Sequence, residues 1–403
     1  MSGGSKKVGI VGASGYGGAE LLRLCAGHPD LDVAVAAAGA QAGAPVAAHT
    51  PSLAAAYPTL TYGPTDAAAL DGLDVVFLAL PHGQSQHLVP DLVDRVGVIV
   101  DLAADFRLAD PDLYPTWYGE EHLVPELLGT FTYGLPELHR DELAGARRIA
   151  APGCYPTAAL LALAPLVEAD VLALVDSGGP PLVVDAASGT SGAGRAPKEN
   201  LHFAAVDEDF VAYGLLDHRH TAEMEQGLGT PVLFTPHLAP MVRGILATCY
   251  ARPADPGALT TEDAMQLLHD RYDDEAFVVV ADAPPSTKAA SGSNTAHLSV
   301  RVDPRTGWVV VLSAIDNLIK GAAGQAVQCA NLALALPEGA GLPLVGVYPR
   351  ASPPPQGSSP PAWPPASRPA APSTWRCSPP RTAVRCRRPP PSRRTWPAQR
   401  RCR

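Results

Sequence analysis

The segment Val8-Gly9-Ile10-Val11 runs straight into Gly12-Ala13-Ser14-Gly15-Tyr16-Gly17-Gly18 and then into Ala19-Glu20-Leu21-Leu22-Arg23-Leu24-Cys25. It reads as a short buried strand, a tight turn and a helix. Gly12, Gly15 and Gly18 stand in G-x-x-G-x-x-G spacing, which lets backbone come close to a pyrophosphate and leaves helix N–H groups facing it. The strand before the loop and the helix after it separate this pattern from ordinary turn glycines. The next strand, residues 33–38, ends in Ala38-Gly39-Ala40 with no acid to bind a ribose 2′-hydroxyl, which favours NADP over NAD. An Arg to meet a 2′-phosphate is missing there as well.

Further apolar runs at residues 75–80 and 98–102 alternate with helical stretches. This predicts a parallel, doubly wound α/β sheet of the Rossmann type, covered on both faces. Beyond residue 150 the pattern changes. Residues 182–187 and 232–234 read as strands, and residues 297–302 and 308–315 flank the turn Asp303-Pro304-Arg305-Thr306-Gly307 as a hairpin. An α+β second domain is therefore expected. A last helix, about residues 321–336, is expected to pack back on the first domain. The expected division is a discontinuous nucleotide domain (1–153 and 316–350), a catalytic and oligomerisation domain (154–315), and a tail (351–403).

The tail stands apart by composition. Of the 403 residues and 43 prolines, residues 351–403 hold 15 prolines and 11 arginines, and no Asp, Glu, Lys, Leu, Ile, Phe or Tyr. Such a segment cannot build a core and is expected to be disordered; a frameshifted, GC-rich reading frame would explain it. Without it, the body carries 19 basic against 40 acidic residues, a net charge of −21. An acidic body argues against nucleic acid as a partner. No apolar stretch is long and uncharged enough to span a membrane. The N-terminus enters a strand with no apolar leader, and the seven cysteines contain no C-x-x-C pair, so a reducing cytoplasm is expected.

Cys154 lies in Pro152-Gly153-Cys154-Tyr155-Pro156, between an expected strand and a helix from about Thr157. A helix N-terminus lowers a thiol pKa, and a thiolate is the nucleophile of acyl transfer. Cys25, Cys249 and Cys329 fall on apolar faces and read as buried core. The densest cluster of acid/base groups is His218-Arg219-His220-Thr221-Ala222-Glu223. His220 and Glu223 share a face if the segment is helical, so Glu223 is expected to orient the imidazole. His218 and His220 would otherwise pair on a metal, but no third ligand is evident. Arg107, Arg195 and Arg243 are each placed to grip a phosphate or carboxylate, or else are surface arginines.

With these residues in view, the chain resembles the N-acetyl-gamma-glutamyl-phosphate reductases of arginine biosynthesis over roughly residues 7–349. The resemblance rests on the glycine loop, Asp101-Leu102-Ala103-Ala104-Asp105-Phe106-Arg107-Leu108, Tyr133-Gly134-Leu135-Pro136-Glu137, Pro152–Thr157, Ser188–Arg195, His218-Arg219-His220, and residues 315–326. It implies NADPH, a semialdehyde dehydrogenase-like fold, a small acyl-phosphate substrate with phosphate as product, and a homodimer or homotetramer. It implies a Cys154 thioester with His220 as acid/base, His218 being the alternative. Cofactor contacts are expected from Gly12, Ser14, Gly15, Tyr16, Gly17, Pro81, Ser188, Gly189 and Asn317. Substrate contacts are expected from Arg107, Ser191, Arg195 and Arg243, with no metal. The chain departs from the family after the second strand, where Ser or Arg is common. Rival readings are aspartate-semialdehyde dehydrogenase, a lysine-pathway reductase of carrier-bound substrates, and a non-catalytic NADP-binding regulator.

Overall fold

The computed structural model describes residues 4–174, 181–255 and 257–348. The expectations for residues 351–403 lie outside these. In the first sheet, β1 (Lys6–Val11), β2 (Leu31–Ala37), β3 (Val75–Leu78), β4 (Val98–Asp101), β5 (Thr132–Tyr133) and β6 (Arg148–Ala150) are all parallel, in the order β2-β1-β3-β4-β6-β5. Their residues alternate between two apolar layers. Val75, Phe77, Val98 and Val100 face a layer with Leu21, Leu22 and Cys25 of α1 (Tyr16–Ala26). Val76, Leu78 and Ile99 face a second layer with Val89 and Leu92 of α2 (Ser85–Leu92). Both faces are covered, which is why these strands read as continuous apolar runs. Helix α3 (Pro136–Leu143) lies between β5 and β6 in the chain.

Helix α4 (Cys154–Glu168) is apolar on every side and buried over most of its length. Its Ala and Leu side chains form one core with the second sheet. That sheet is mixed and has seven strands: β7 (Leu182–Ser188), β8 (Val211–Ala212), β9 (Val232–Leu238), β10 (Ile245–Ala251), β11 (Val278–Val280), β12 (Ala296–Val302) and β13 (Val309–Ile315). Their order is β11-β12-β13-β10-β7-β9-β8. Strands β12 and β13 pair antiparallel, so the predicted hairpin is present. Helices α5 (His220–Leu228) and α6 (Thr261–Tyr272) pack beside α4.

After β13 the chain makes a π-turn, Ile319–Ala323, and enters α7 (Gly324–Ala333). Ala326, Val327, Cys329 and Ala330 of α7 join the core of the first sheet. The π-turn packs against both α1 and α4. Lys320 and Glu137, both fully buried, form an ion pair of 2.6 Å there, with Gln328 bonded to each. No helix among the described residues is long and apolar enough to cross a membrane.

Candidate active site

The glycine loop connects β1 to α1. Gly12 has φ +80°, and a Cβ added there would lie 2.2 Å from the carbonyl oxygen of Ala79. A Cβ at Gly18 would lie 2.3 Å from Gly12 O. No side chain caps α1 at Gly15, so its first N–H groups stay free for an anion. The loop therefore fits a dinucleotide pyrophosphate. Ser14 Oγ donates to Gln41 Oε1 at 3.2 Å, and Tyr16 is exposed at the mouth. Pro81 follows the end of β3 beside a cleft of about 610 Å³ lined by Thr65, Leu80, His82, His87 and Glu120.

Cys154 is the first residue of α4, three positions before the expected helix start. The surrounding groups come from distant segments. Glu223 Oε1 accepts from the Gly153 N–H and from Tyr133 Oη, each at 2.8 Å, and Arg107 Nη1 is 3.4 Å from Glu223 Oε2. The imidazole of His220, the first residue of α5, presses on Gly153. A Cβ at Gly153 would stand 2.5 Å from His220 Nε2 and 3.0 Å from Arg107 Nη1. On the opposite side, a Cβ at Gly321 in the π-turn would stand 2.6 Å from Cys154 Cβ. The turn is thus packed by the His220 and Arg107 side chains at Gly153 and by the Gly321 backbone at Cys154.

Three expectations about this site change. Glu223 shares a helix with His220, but its oxygens go to Tyr133, Gly153 and Arg107. It positions the Cys154 turn and not the imidazole, whose Nδ1 is buried with no hydrogen-bond partner among the described residues. Arg107 is a buried arginine. It donates from Nε to Ala151 O and from Nη2 to Leu102 O, both at 2.8 Å, so most of its fork is committed to the protein. The Cys154 thiol is not lowered. Burial pushes it up to about 11, against the opposing pull of Arg107 and of the N–H groups of Tyr155 and Cys154. Burial likewise holds His220 well below the usual imidazole range, helped by His218, Arg107 and Arg219. His218, half-buried and next to Arg219, falls to about 4. Both imidazoles are neutral at pH 7.

The remaining candidates gather around α1. Loop 188–194 pairs with the segment after β9: Thr190 N–H donates to Met241 O and Ser191 N–H to Val242 O. Asn317 locks the two, donating from Nδ2 to Ser191 Oγ at 3.0 Å and accepting from Gly244 N–H at 2.7 Å. Ser188 Oγ lies 3.1 Å from where a Gly192 Cβ would be. Arg243 forms ion pairs with Glu20 of α1 and with Asp316, so its charge is neutralised inside the protein. Arg195 is exposed and lies against the glycine loop, donating to Ser14 O at 2.9 Å and His49 O at 3.2 Å. These two arginines thus lie with the nucleotide loop, and only Arg107 lies beside Gly153. No cluster of three His, Cys, Asp or Glu side chains suited to a metal occurs among the described residues.

Sequence reasoning attached no role to Tyr133, Gly153, Gly321 or the His82–Asp105 pair. Asp105 accepts from the N–H groups of Gly83 and Gln86 and sits 2.6 Å from His82 Nδ1, fixing the loop after β3. Tyr133 and Gly321 stand in segments that carried the family resemblance. A glycine next to a reactive residue was the available signal for close packing.

Residues 7–146 match the family described as semialdehyde dehydrogenase, NAD binding domain, and residues 154–317 match semialdehyde dehydrogenase, dimerisation domain. In fold the chain is similar to aspartate semialdehyde dehydrogenase II from Vibrio cholerae (TM-score 0.59, 18% identity, covering 83% of this chain and 99% of that one). It is similar also to aspartate semialdehyde dehydrogenase with NADP from Candida albicans (TM-score 0.59, 17% identity, covering 82% and 98%). In sequence it is 47% identical over 353 residues to N-acetyl-gamma-glutamyl-phosphate reductase of Symbiobacterium thermophilum. The identity to the same-named protein of Acidothermus cellulolyticus is 50% over 355 residues; both alignments cover 85% of this chain and 99% of the relative. At that identity and coverage, the chain belongs to the N-acetyl-gamma-glutamyl-phosphate reductase family.

Proposed function

We propose that this protein reduces N-acetyl-gamma-glutamyl phosphate to N-acetylglutamate 5-semialdehyde with NADPH, through a thioester on Cys154, in cytoplasmic arginine biosynthesis. The observation that carries this reading is Cys154 at the start of a buried helix, with the neutral His220 imidazole against its preceding residue. The resting pair is a protonated thiol and a neutral base. His220 takes the thiol proton as sulfur attacks the acyl carbon. The C–S bond forms, the bond to the phosphate oxygen breaks, and His220 returns the proton to the departing phosphate. The glycine loop would hold NADPH, which when bound would supply the hydride for the thioester carbonyl. The thiohemiacetal oxyanion on Cys154 would expel the thiolate to leave the aldehyde, and the sulfur would regain a proton from water through His220. The N–H groups of Cys154 and Tyr155, at the start of α4, act on the sulfur and are suited to stabilise the negative charge that develops there as the proton leaves.

The cofactor reading rests on the fit of the glycine loop to a pyrophosphate and on the absence of an acid after β2. We further infer a homodimer or homotetramer. Leu233, Tyr250 and Val279 are exposed large apolar residues on the second sheet, on strands whose alternate residues are buried. A second copy covering them fits the match to a dimerisation domain. The test is the reverse reaction: N-acetylglutamate semialdehyde, NADP and phosphate with wild type and Cys154→Ala. NADPH formation by wild type alone is expected. Activity in the variant, or a preference for aspartate semialdehyde, would overturn the reading.

A further inference from the structure

The end of β2 carries no residue to read the adenosine 2′-position: Ala38, Gly39 and Ala40 are all small and uncharged. A cation nevertheless lies close by. Arg195 reaches the glycine loop from a segment far away in sequence, donating to the carbonyls of Ser14 and His49. Ser14 is also the residue whose hydroxyl bonds Gln41, four positions past the last residue of β2. Gln41, Ser14 and Arg195 thus form one hydrogen-bonded chain at the mouth between the glycine loop and the end of β2. In this architecture that mouth is where the 2′-substituent of the adenosine ribose is recognised. Gly39 and Ala40 are exposed there and leave room for a bulky group.

Two further features suit Arg195 to an anion. It forms no ion pair with a carboxylate among the described residues, unlike Arg107 and Arg243, which are both paired with acids. Its known partners are carbonyls, which hold the guanidinium without neutralising it, and donors remain free. The preceding Gly194 has φ +84° and ψ 179°, a conformation open essentially only to glycine, so the backbone that directs Arg195 is specially shaped.

We propose that Arg195 binds the 2′-phosphate of NADP(H), supplying from the second half of the chain the cation missing after β2, and so sets the choice of NADP over NAD. The proposal rests on the NADP reading above and replaces the expected role of Arg195 in substrate binding. The test is calorimetric titration of the full chain with NADP+, NAD+, 2′,5′-ADP and 5′-AMP, for wild type, Arg195→Ala and Arg195→Lys. Wild type binds NADP+ more tightly than NAD+. Arg195→Ala weakens NADP+ and 2′,5′-ADP by about 10–100-fold and leaves NAD+ and 5′-AMP within about twofold, the loss expected for a charge-assisted phosphate contact. Arg195→Lys restores much of the preference. Equal loss for all four ligands makes Arg195 a mere tether between segments and overturns the proposal, as does an unchanged preference in Arg195→Ala. A wild type that does not distinguish the two cofactors overturns the NADP reading and this inference with it. If Arg195→Ala does not fold, Arg195→Gln, neutral but able to donate, answers the same question.

Discussion

Helices α1 and α4 each begin on a glycine with extended backbone, φ −74° and ψ 173° at Gly15, φ −67° and ψ 155° at Gly153. Neither start has a side-chain cap, and the same π-turn packs against both helices. Their surroundings differ. The start of α1 is built from one contiguous loop of small residues. The start of α4 is enclosed by Glu223 and His220 of α5 and by Tyr133, Arg107 and Gly321, drawn from four separate segments. The first arrangement leaves N–H groups open to a diffusible anion. The second half-buries a thiol and pushes it up to about 11, which favours proton removal in step with attack. The same local geometry serves binding where it is open and covalent chemistry where it is closed.

The two helix starts are expected to fail separately. Cys154→Ala should lower kcat of the reverse reaction by at least ~10⁴-fold. Its NADP+ affinity, measured by titration, should stay within about twofold; parallel loss of binding would break the distinction. Glu223→Ala strips the acceptor from Gly153 and Tyr133 and leaves Arg107 buried without its acid. Denaturant unfolding should show a loss of about 3–5 kcal/mol. Tyr16→Ala, at the open mouth of α1, should cost no more than about 0.5 kcal/mol. Gly153→Ala forces a methyl into the His220 ring and should cost about 1–3 kcal/mol, with kcat falling further than that destabilisation explains.

The pH behaviour sharpens the contrast. Alkylation of Cys154 by iodoacetamide should climb steadily from pH 7 to pH 10, since burial raises the thiol. A plateau below pH 8 would mean a resting thiolate. His218 and His220 are depressed by burial in the folded state, so between their folded values and about 6.5 the unfolded chain binds more protons. Their contribution to stability is complete above about pH 6.5 and is lost as pH falls. The thermal midpoint should drop between pH 7 and pH 5, and the drop should shrink in His218→Asn.

The open start was legible in the sequence because everything that defines it is local: an apolar strand, glycines at fixed spacing, a helix. Cys154 and His220 were legible as reactive types near expected helix starts. Their environment was not. Whether Arg107 is a surface loop residue or a buried ion pair depends on α5 docking against the turn after β4, and no spacing rule encodes that. Glu223 was placed on the correct helix but given the wrong partner. Helical spacing identifies a shared face and not which of several buried donors wins the carboxylate. Arg195 could not be assigned to the nucleotide loop because its contact to Ser14 spans most of the two halves of the chain.

The central claim is that Cys154 carries the acyl group between phosphate and hydride transfer. Mixing N-acetylglutamate semialdehyde and NADP+ with wild type in the absence of phosphate should produce a burst of about one NADPH per active site. Peptide mass spectrometry should then place the acyl group on Cys154, and added phosphate should release it. No burst, or an acyl group on any other residue, would contradict the account.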